Sequence, residues 1–392
     1  MNITALSEEL GIKSYPQDFE HFCKKAVPVS ICDISVIERL ENEYSLLSEY
    51  TTPLLSCLEM VQKDYRLTTW GGYAAAYMRD STIEAGRQIR LPIFEEDSVM
   101  RFYPLLVLCA TLPSGIEKFR SRGFSEEEIH NILANTFKTR IAIAERDNGK
   151  QGLDNAAFNW LRLYAIAGVF PCGVFNVTPK FFSHNALILK NKVTGELVPL
   201  MTNGVYHKSG MALGSDGYIE NNGSFTAEFT ETNDSYIGNP AIKSLVSEKK
   251  YLYKKSDWEV LLKKGDGFAG IHIPHGADLS PDKIKESFRL ALKITRERYP
   301  EYDAKAVACV SWMLDPKLEE LLGEKSKITG FIRCFEKYPI KSGGHNIFGF
   351  VFPRNYNSYE SLPEDTSLRR KLKKLYLDGG YIYSFAGIVK EL

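Results

Sequence analysis

The sequence predicts an α/β (α+β) chain. Residues 1–165 form a helical part, and residues 166–392 form a mixed β-sheet with helices on both faces. Three observations predict this. Apolar residues in the first part recur at helical spacing. Period-two alternation sets in near residue 173, with a Thr194-Gly195 turn between two alternating runs. From residue 268 onward, apolar strands and amphipathic helices alternate, the order of a sheet covered by helices.

The bulk numbers fit that reading. The chain has 392 residues, 44% apolar and 25% charged, enough for two or three domains with a full core. Lys plus Arg and Asp plus Glu both total 49, so no global field draws the chain to nucleic acid or an acidic membrane. The apolar run FYPLLVLCATL (102–112) is too short to cross a bilayer and contains Pro104. The start, MNITALSEELGIK, lacks a basic region followed by an apolar one, so it is not a secretory signal and the chain is expected in the cytoplasm. Seven cysteines, none in a CxxC pair and mostly in apolar surroundings, read as reduced buried thiols.

The elements follow in order. VIERLENEYSLLSEY (36–50) has helical spacing and Pro53 follows it. FSEEEIHNILANTFKTRIAIAER (124–146) starts with a Ser125/Glu128 capping box. FFSHNALILKNKVTGELVPLMTNG (181–204) reads as a hairpin and FTAEFTET (225–232) as a further strand. SDWEVLLKKGDGFAGIHI (256–273) reads as a short helix, a Gly-Asp-Gly turn and a strand. The helix over 281–298 carries Ile284, Phe288, Ala291 and Leu292 on one stripe. AVACVSWML (306–314) is a nearly continuous apolar strand, as expected where both faces are covered. Helical pieces over 316–322 and 327–338, a strand NIFGFVF (346–352), a helix over 366–377 and a strand over 381–389 complete the chain.

The segments IHIPHG (271–276), the helix with Ser287, CVSWMLDPKL (309–318), KSKITGFIRCF (325–335) and LPEDTSLRR (362–370) resemble a bacterial N-acyltransferase family. In that family a helical N-terminal domain precedes a GNAT-like C-terminal domain. The resemblance implies transfer of an acyl group from a thioester donor, acyl-CoA or an acyl carrier, to an amine or hydroxyl. It implies acyl-CoA as co-substrate, a small-molecule substrate and no metal. The wider superfamily has an Arg/Gln-x-x-Gly-x-Gly/Ala loop before the helix that follows the central strand. This chain has HIPHGADLS there, with the single glycine Gly276.

His272 and His275 sit at that strand-to-helix joint. His272 is opposite in phase to Ile271 and Ile273, at the carboxyl end of its strand, where open sheets place ligands. An imidazole there serves as a general base or braces the turn. His275 lies in the turn. Gly276 supplies an unusual backbone angle, and Ser280 reads as an N-cap ahead of Pro281 and Asp282. Backbone N–H groups near Gly276 would polarise a thioester carbonyl. Ser311 and Trp312 end the next strand, with Trp312 as a wall of an acyl or pantetheine slot and Asp315 as a helix cap. His272 is expected to line a cleft beside Ser311 or Trp312. The candidate set is thus His272 and Ser311 for catalysis and His275, Gly276, Ser280 and Trp312 for the co-substrate. The basic run Arg369, Arg370, Lys371, Lys373 and Lys374 reads as a solvated face. No HxxxH or HExxH spacing predicts a metal, and no GxSxG elbow supports a hydrolase using Ser311 and His272. The competing reading is a non-catalytic ligand-binding protein on a degenerate GNAT-like scaffold. No membrane or nucleic-acid partner is expected.

Overall fold

The structure is a computed structural model, and it describes residues 2–94, 98–219, 223–353 and 356–392. It divides into two compact units, Met1–Pro171 and Cys172–Leu392.

The first unit is helical because its sequence both starts and buries its helices. Asn2, Asp33, Asp64, Thr82, Ser125 and Asp154 sit in extended backbone. Each accepts an N–H from the first turn of the helix it precedes. The capping box of Ser125 and Glu128 forms as the sequence predicts. The helix it opens is not uniform: a π segment, Asn131–Phe137, separates Glu126–His130 from Lys138–Asn148. The longest helix, Tyr103–Ser121, is the core of the unit, burying Leu105, Leu106, Val107, Leu108, Leu112 and Phe119. Each such side chain contributes about 1.5–3 kcal/mol by leaving water. The apolar stretch is therefore longer than the sequence suggested. Val99–Ser121 is long and apolar enough to cross a membrane by length and composition, and most of it is buried inside the unit.

The second unit carries two large sheets, not the single sheet with helices on both faces that the sequence suggested. The central sheet holds Phe175–Phe181, Gly267–His272, Ala306–Ser311, Phe385–Val389 and Phe335–Pro339, adjacent in that order. Gly267–His272 and Ala306–Ser311 run parallel, as their crossover helix Pro281–Arg298 requires. The second sheet holds Tyr251–Lys254, Ser235–Ile242, Leu197–Met201, Ala186–Asn191 and Trp258–Leu262 in that order, all antiparallel.

One face of the central sheet takes the crossover helix. Phe288 stacks on Phe175 at 5.4 Å and meets Phe335 edge-on at 5.5 Å. The other face takes the second sheet: Ala306, Ala308, Ala386 and Ile388 share one core with Ile188, Leu197, Met201 and Leu262. The hairpin strands pair with one another rather than joining the central sheet, so a sheet occupies the place expected for a second helix layer.

Three assignments change with this. Trp258–Leu262 is a strand on Ala186–Asn191, not a helix. Its apolar residues pack a pleated surface that only the partner strand reveals. The helix expected over 327–338 ends at Arg333, and Phe335–Pro339 is an edge strand on Phe385–Val389. NIFGFVF forms turns with a lone bridge between Phe348 and Phe352, its rings absorbed into an aromatic cluster.

Candidate functional site

The site is built where the two parallel strands stop pairing. Their ladder holds three pairs, Phe268–Ala306, Ala269–Val307 and Gly270–Ala308. Both strands continue, to His272 and Ser311, but each is then held only on its outer side. His272 lies opposite Asn176, and Ser311 lies opposite Phe385. The inner sides part toward the carboxyl end. Val310 has the phase of the buried Ala306 and Ala308, yet it is 51% exposed, so the sheet face is open there. Two diverging backbones present N–H and C=O groups to an extended ligand, in the manner of an added strand.

His272 does lie opposite in phase to the buried Ile271, as the sequence implies. Its Nε2 is 3.1 Å from Thr178 Oγ1 and 3.4 Å from Lys180 Nζ, both on the outer strand. An ammonium only donates, so Nε2 is the acceptor in the lysine contact. The structure thus brings His272 together with Thr178 and Lys180 of the neighbouring strand. Ser311 Oγ accepts the N–H of Met313 at 3.1 Å and caps a short turn, Trp312–Leu314. Trp312 is half-buried, with Phe350 at 6.3 Å between ring centroids. Asp315 is 1% exposed and accepts the N–H groups of Lys317 at 2.9 Å and Tyr383 at 2.7 Å. Burial, ahead of any other influence, pushes its carboxyl up to about 6.

In the joint before the crossover helix, His275 is exposed, and Gly276 has φ +76, a conformation natural to glycine alone. Ser280 holds the N-cap position, but its hydroxyl makes no cap bond. Its N–H instead donates to Asp278 at 3.2 Å. Asp278 also pairs with Lys283 and Lys327, each at 2.9 Å. Those two ammonium groups, ahead of Ser280, hold its carboxyl well below the ordinary range. The first turn of this 18-residue helix suits an anionic group, and Asp278 holds both neighbouring lysines there.

His345, in the loop ahead of NIFGFVF, is not among the residues the sequence singled out. Its Nε2 lies 2.6 Å from the Tyr359 hydroxyl, and its Nδ1 lies 3.5 Å from Asp216 Oδ2. The same Oδ2 accepts the Gly344 N–H at 2.9 Å, and the Tyr383 hydroxyl donates to the Asp216 carbonyl at 2.6 Å. Rings of Tyr376 and Tyr381 each stand 5.7 Å from the imidazole. Because Ser311 pairs with Phe385, residues 381–384 lie at the same end of the sheet as the strand gap. A carboxylate, an imidazole and a phenol in line form a proton-accepting arrangement. Asp216 is 129 residues before His345, so no local pattern could have marked the pair. The basic run over 369–374 is occupied within the chain: Arg369 pairs with Asp365 at 2.8 Å, Lys374 pairs with Asp378 at 3.2 Å, and Lys371 donates to the Leu321 carbonyl at 2.5 Å. Among the described residues, no group of three or more His, Cys, Asp or Glu side chains is placed to hold a metal ion.

A mixed sheet whose central parallel pair opens toward its carboxyl end, followed by a long crossover helix, defines the GNAT-like class of fold. Residues 206–389 match the family model of the GNAT-like C-terminal domain. No curated protein sequence matches the chain. Among solved structures, an acyltransferase in complex with decanoyl-CoA is similar at 18% identity and TM-score 0.63, over 100% of both chains. A mutant acyltransferase in complex with octanoyl-CoA is similar at 17% identity and TM-score 0.66, again over 100% of both chains. An acyltransferase in complex with CoA and 10C-teicoplanin is similar at 18% identity and TM-score 0.64, with the same coverage. At that identity the likeness establishes the fold.

Proposed function

We propose that this protein is an acyltransferase that moves an acyl group from a thioester donor, acyl-CoA or an acyl carrier, to an amine or hydroxyl acceptor. The observation that carries the reading is the parallel ladder that stops at Gly270 and Ala308 while both strands run on. The acyl-CoA bound by structures of the same fold supports it. The donor's acyl-pantetheine arm would lie in the strand gap beside Val310 and Trp312. Its phosphates would face the Gly276 turn and the first turn of Pro281–Arg298. The acceptor's lone pair attacks the thioester carbonyl and its proton passes to an imidazole. The carbon–sulfur bond then breaks, and the thiolate leaves and is protonated. Backbone N–H groups lining the gap stabilise the oxyanion. No covalent enzyme intermediate is involved.

His272 is the first assignment for the proton acceptor. A second is favoured by one observation: His345 has a carboxylate on one ring nitrogen and a hydroxyl on the other, the geometry that orients a base. The cytoplasm as the site of action, and Ser311 as a residue that shapes the gap, belong to the same proposal. The test is thermal stability with a panel of acyl-CoAs, together with release of free thiol in the presence of candidate amines. Stabilisation of several degrees at 100 times Kd is expected, since about 2.7 kcal/mol of linkage accompanies it. Absence of any shift at millimolar acyl-CoA would leave the non-catalytic reading in its place.

A further inference from the structure

The second unit contains a groove of about 330 Å³ that the acyl-transfer reading does not use. Its lining residues include Trp258 and Tyr253, Leu197 and Ile242, and Glu196 and Glu336. Its volume falls in the range of about 300–1,000 Å³ that holds small molecules. It also lies away from the strand gap. Glu336 pairs with Ile388, three residues along the strand from Phe385, which pairs with Ser311. Three residues of strand span about 10 Å.

The chemistry of the lining selects the ligand. Trp258 and Tyr253 meet edge to face at 5.1 Å between centroids, the arrangement in which aromatic side chains wall a cavity. Among the described residues neither Glu196 nor Glu336 forms an ion pair, whereas Glu319, Glu228 and Glu231 all do. Glu336 is half-buried, and burial raises its pKa, with Glu196 adding to the rise and Lys390 and Lys337 opposing it. Lys337 is turned the other way, onto Glu319 at 3.0 Å. Lys243 also lines the groove, but it stands exposed on the tight turn between Ser235–Ile242 and Leu245–Val246, with φ +49. The interior of the groove therefore offers aromatic faces and a partly desolvated carboxylate, and its one lining cation sits at the rim.

We propose that this groove is a second ligand site, for a small organic cation: an ammonium group on an apolar body. The ammonium sits over the Trp258 ring against Glu336, and the apolar body lies along Leu197 and Ile242. A cation so placed gains both the ring quadrupole and the unpaired carboxylate. The site does not depend on the acyl-transfer reading, and it stands or falls without an acyl donor.

The test uses the full chain and two probes of equal shape, benzyltrimethylammonium and its neutral carbon isostere, 2,2-dimethylpropylbenzene, titrated by calorimetry and by tryptophan fluorescence. The cation is expected to bind in the millimolar range or tighter, at least tenfold better than the neutral probe, and more weakly as salt rises. Glu336→Gln should lower the cation's affinity about tenfold and leave the neutral probe unchanged. Trp258→Leu should lower both the affinity and the fluorescence change. A circular dichroism melt matching that of the parent shows that each variant is folded. If Trp258→Leu fails that check, Tyr253→Leu replaces it. Equal binding of the two probes, unaltered cation binding in Glu336→Gln, or no binding at 10 mM (roughly the weakest affinity of interest) would each overturn the proposal.

Discussion

Asp315 offers a sharp test of how the carboxyl end of the central sheet is held. Its carboxylate is buried, and its two oxygens separately accept the N–H groups of Lys317 and Tyr383. Burial raises its pKa from the ordinary 3.8 to about 6. A folded-state pKa above the unfolded one means that the protonated form favours the fold. Its contribution is full below pH 3.8 and is lost as pH rises through about 6. The difference of about 2 units corresponds to about 3 kcal/mol, of which about 2 kcal/mol is recovered by pH 4.5. Asp315→Asn removes the buried charge but replaces one acceptor oxygen with a donor that faces an N–H. That second effect costs about 1–3 kcal/mol at any pH. The variant should therefore nearly match the parent at pH 7 and fall behind it by about 2 kcal/mol more at pH 4.5. For a unit of this size that is about 4–8 °C in Tm. Calorimetric melts of both proteins at pH 7 and pH 4.5 read the difference. A gap that stays constant between the two pH values would refute the argument, because the carboxyl would then not titrate in the fold above its unfolded value.

Gly173→Ala should destabilise the second unit by about 2–5 kcal/mol in urea melts. Its φ is +57, and an added Cβ would lie 2.1 Å from Ser287 Oγ, which accepts the Val174 N–H. Ser287→Ala, which leaves that N–H without its acceptor, should cost about 1–3 kcal/mol, and an unchanged midpoint would count against both arguments. Gly276→Ala meets no neighbour within 4 Å, so only the backbone strain of φ +76 remains. A loss of about 1–2 kcal/mol in stability is expected, with a larger relative loss in CoA affinity by calorimetry. His272→Gln and His345→Gln separate the two assignments of the base. The variant of the true base should lose at least a hundredfold in kcat and lose the acidic limb of the pH–rate profile, with Tm within about 2 °C of the parent. If both retain kcat, neither imidazole takes the proton.

The crossover helix was legible in full because its apolar stripe and its Ser-Pro start agree: Pro281–Arg298 begins and ends where the pattern does. The phase of His272 was legible for the same kind of reason, since a strand has only two faces. What the sequence could not tell is which strands pair. Ala186–Asn191 and Leu197–Met201 alternate in a way that suits either a shared sheet or a separate one, and only register decides. Phe335–Pro339 hid at the end of a helix because FIRCFEKY carries apolar residues at both helical and strand spacing. At the site, Lys180 reaches His272 only through the antiparallel register that sets Thr178 opposite Gly270. The Asp216–His345 pair required the whole second unit to fold. Ser280 illustrates the reverse error: a residue in the right place for a cap whose hydroxyl does not cap.

The second sheet is inserted between two neighbouring strands of the central one, and this bears on the order of assembly. Phe181 pairs with Gly267, 267 − 181 = 86 residues later. Bringing such distant ends together directly costs about 4 kcal/mol of chain entropy. The insertion shortens that journey. Its first and last long strands, Ala186–Asn191 and Trp258–Leu262, pair with each other, and its neck is tied by the Phe182 N–H on the Asp266 carbonyl and the Gly265 N–H on the Phe182 carbonyl, both at 2.8 Å. Its local hairpins, Ala186–Asn191 with Leu197–Met201 and Ser235–Ile242 with Tyr251–Lys254, condense first, and the ends of the central strands then emerge side by side. The inserted sheet thus acts as an internal template. Mutations that loosen it should slow refolding of the central sheet far more than they alter its final stability, because nearby contacts form before distant ones.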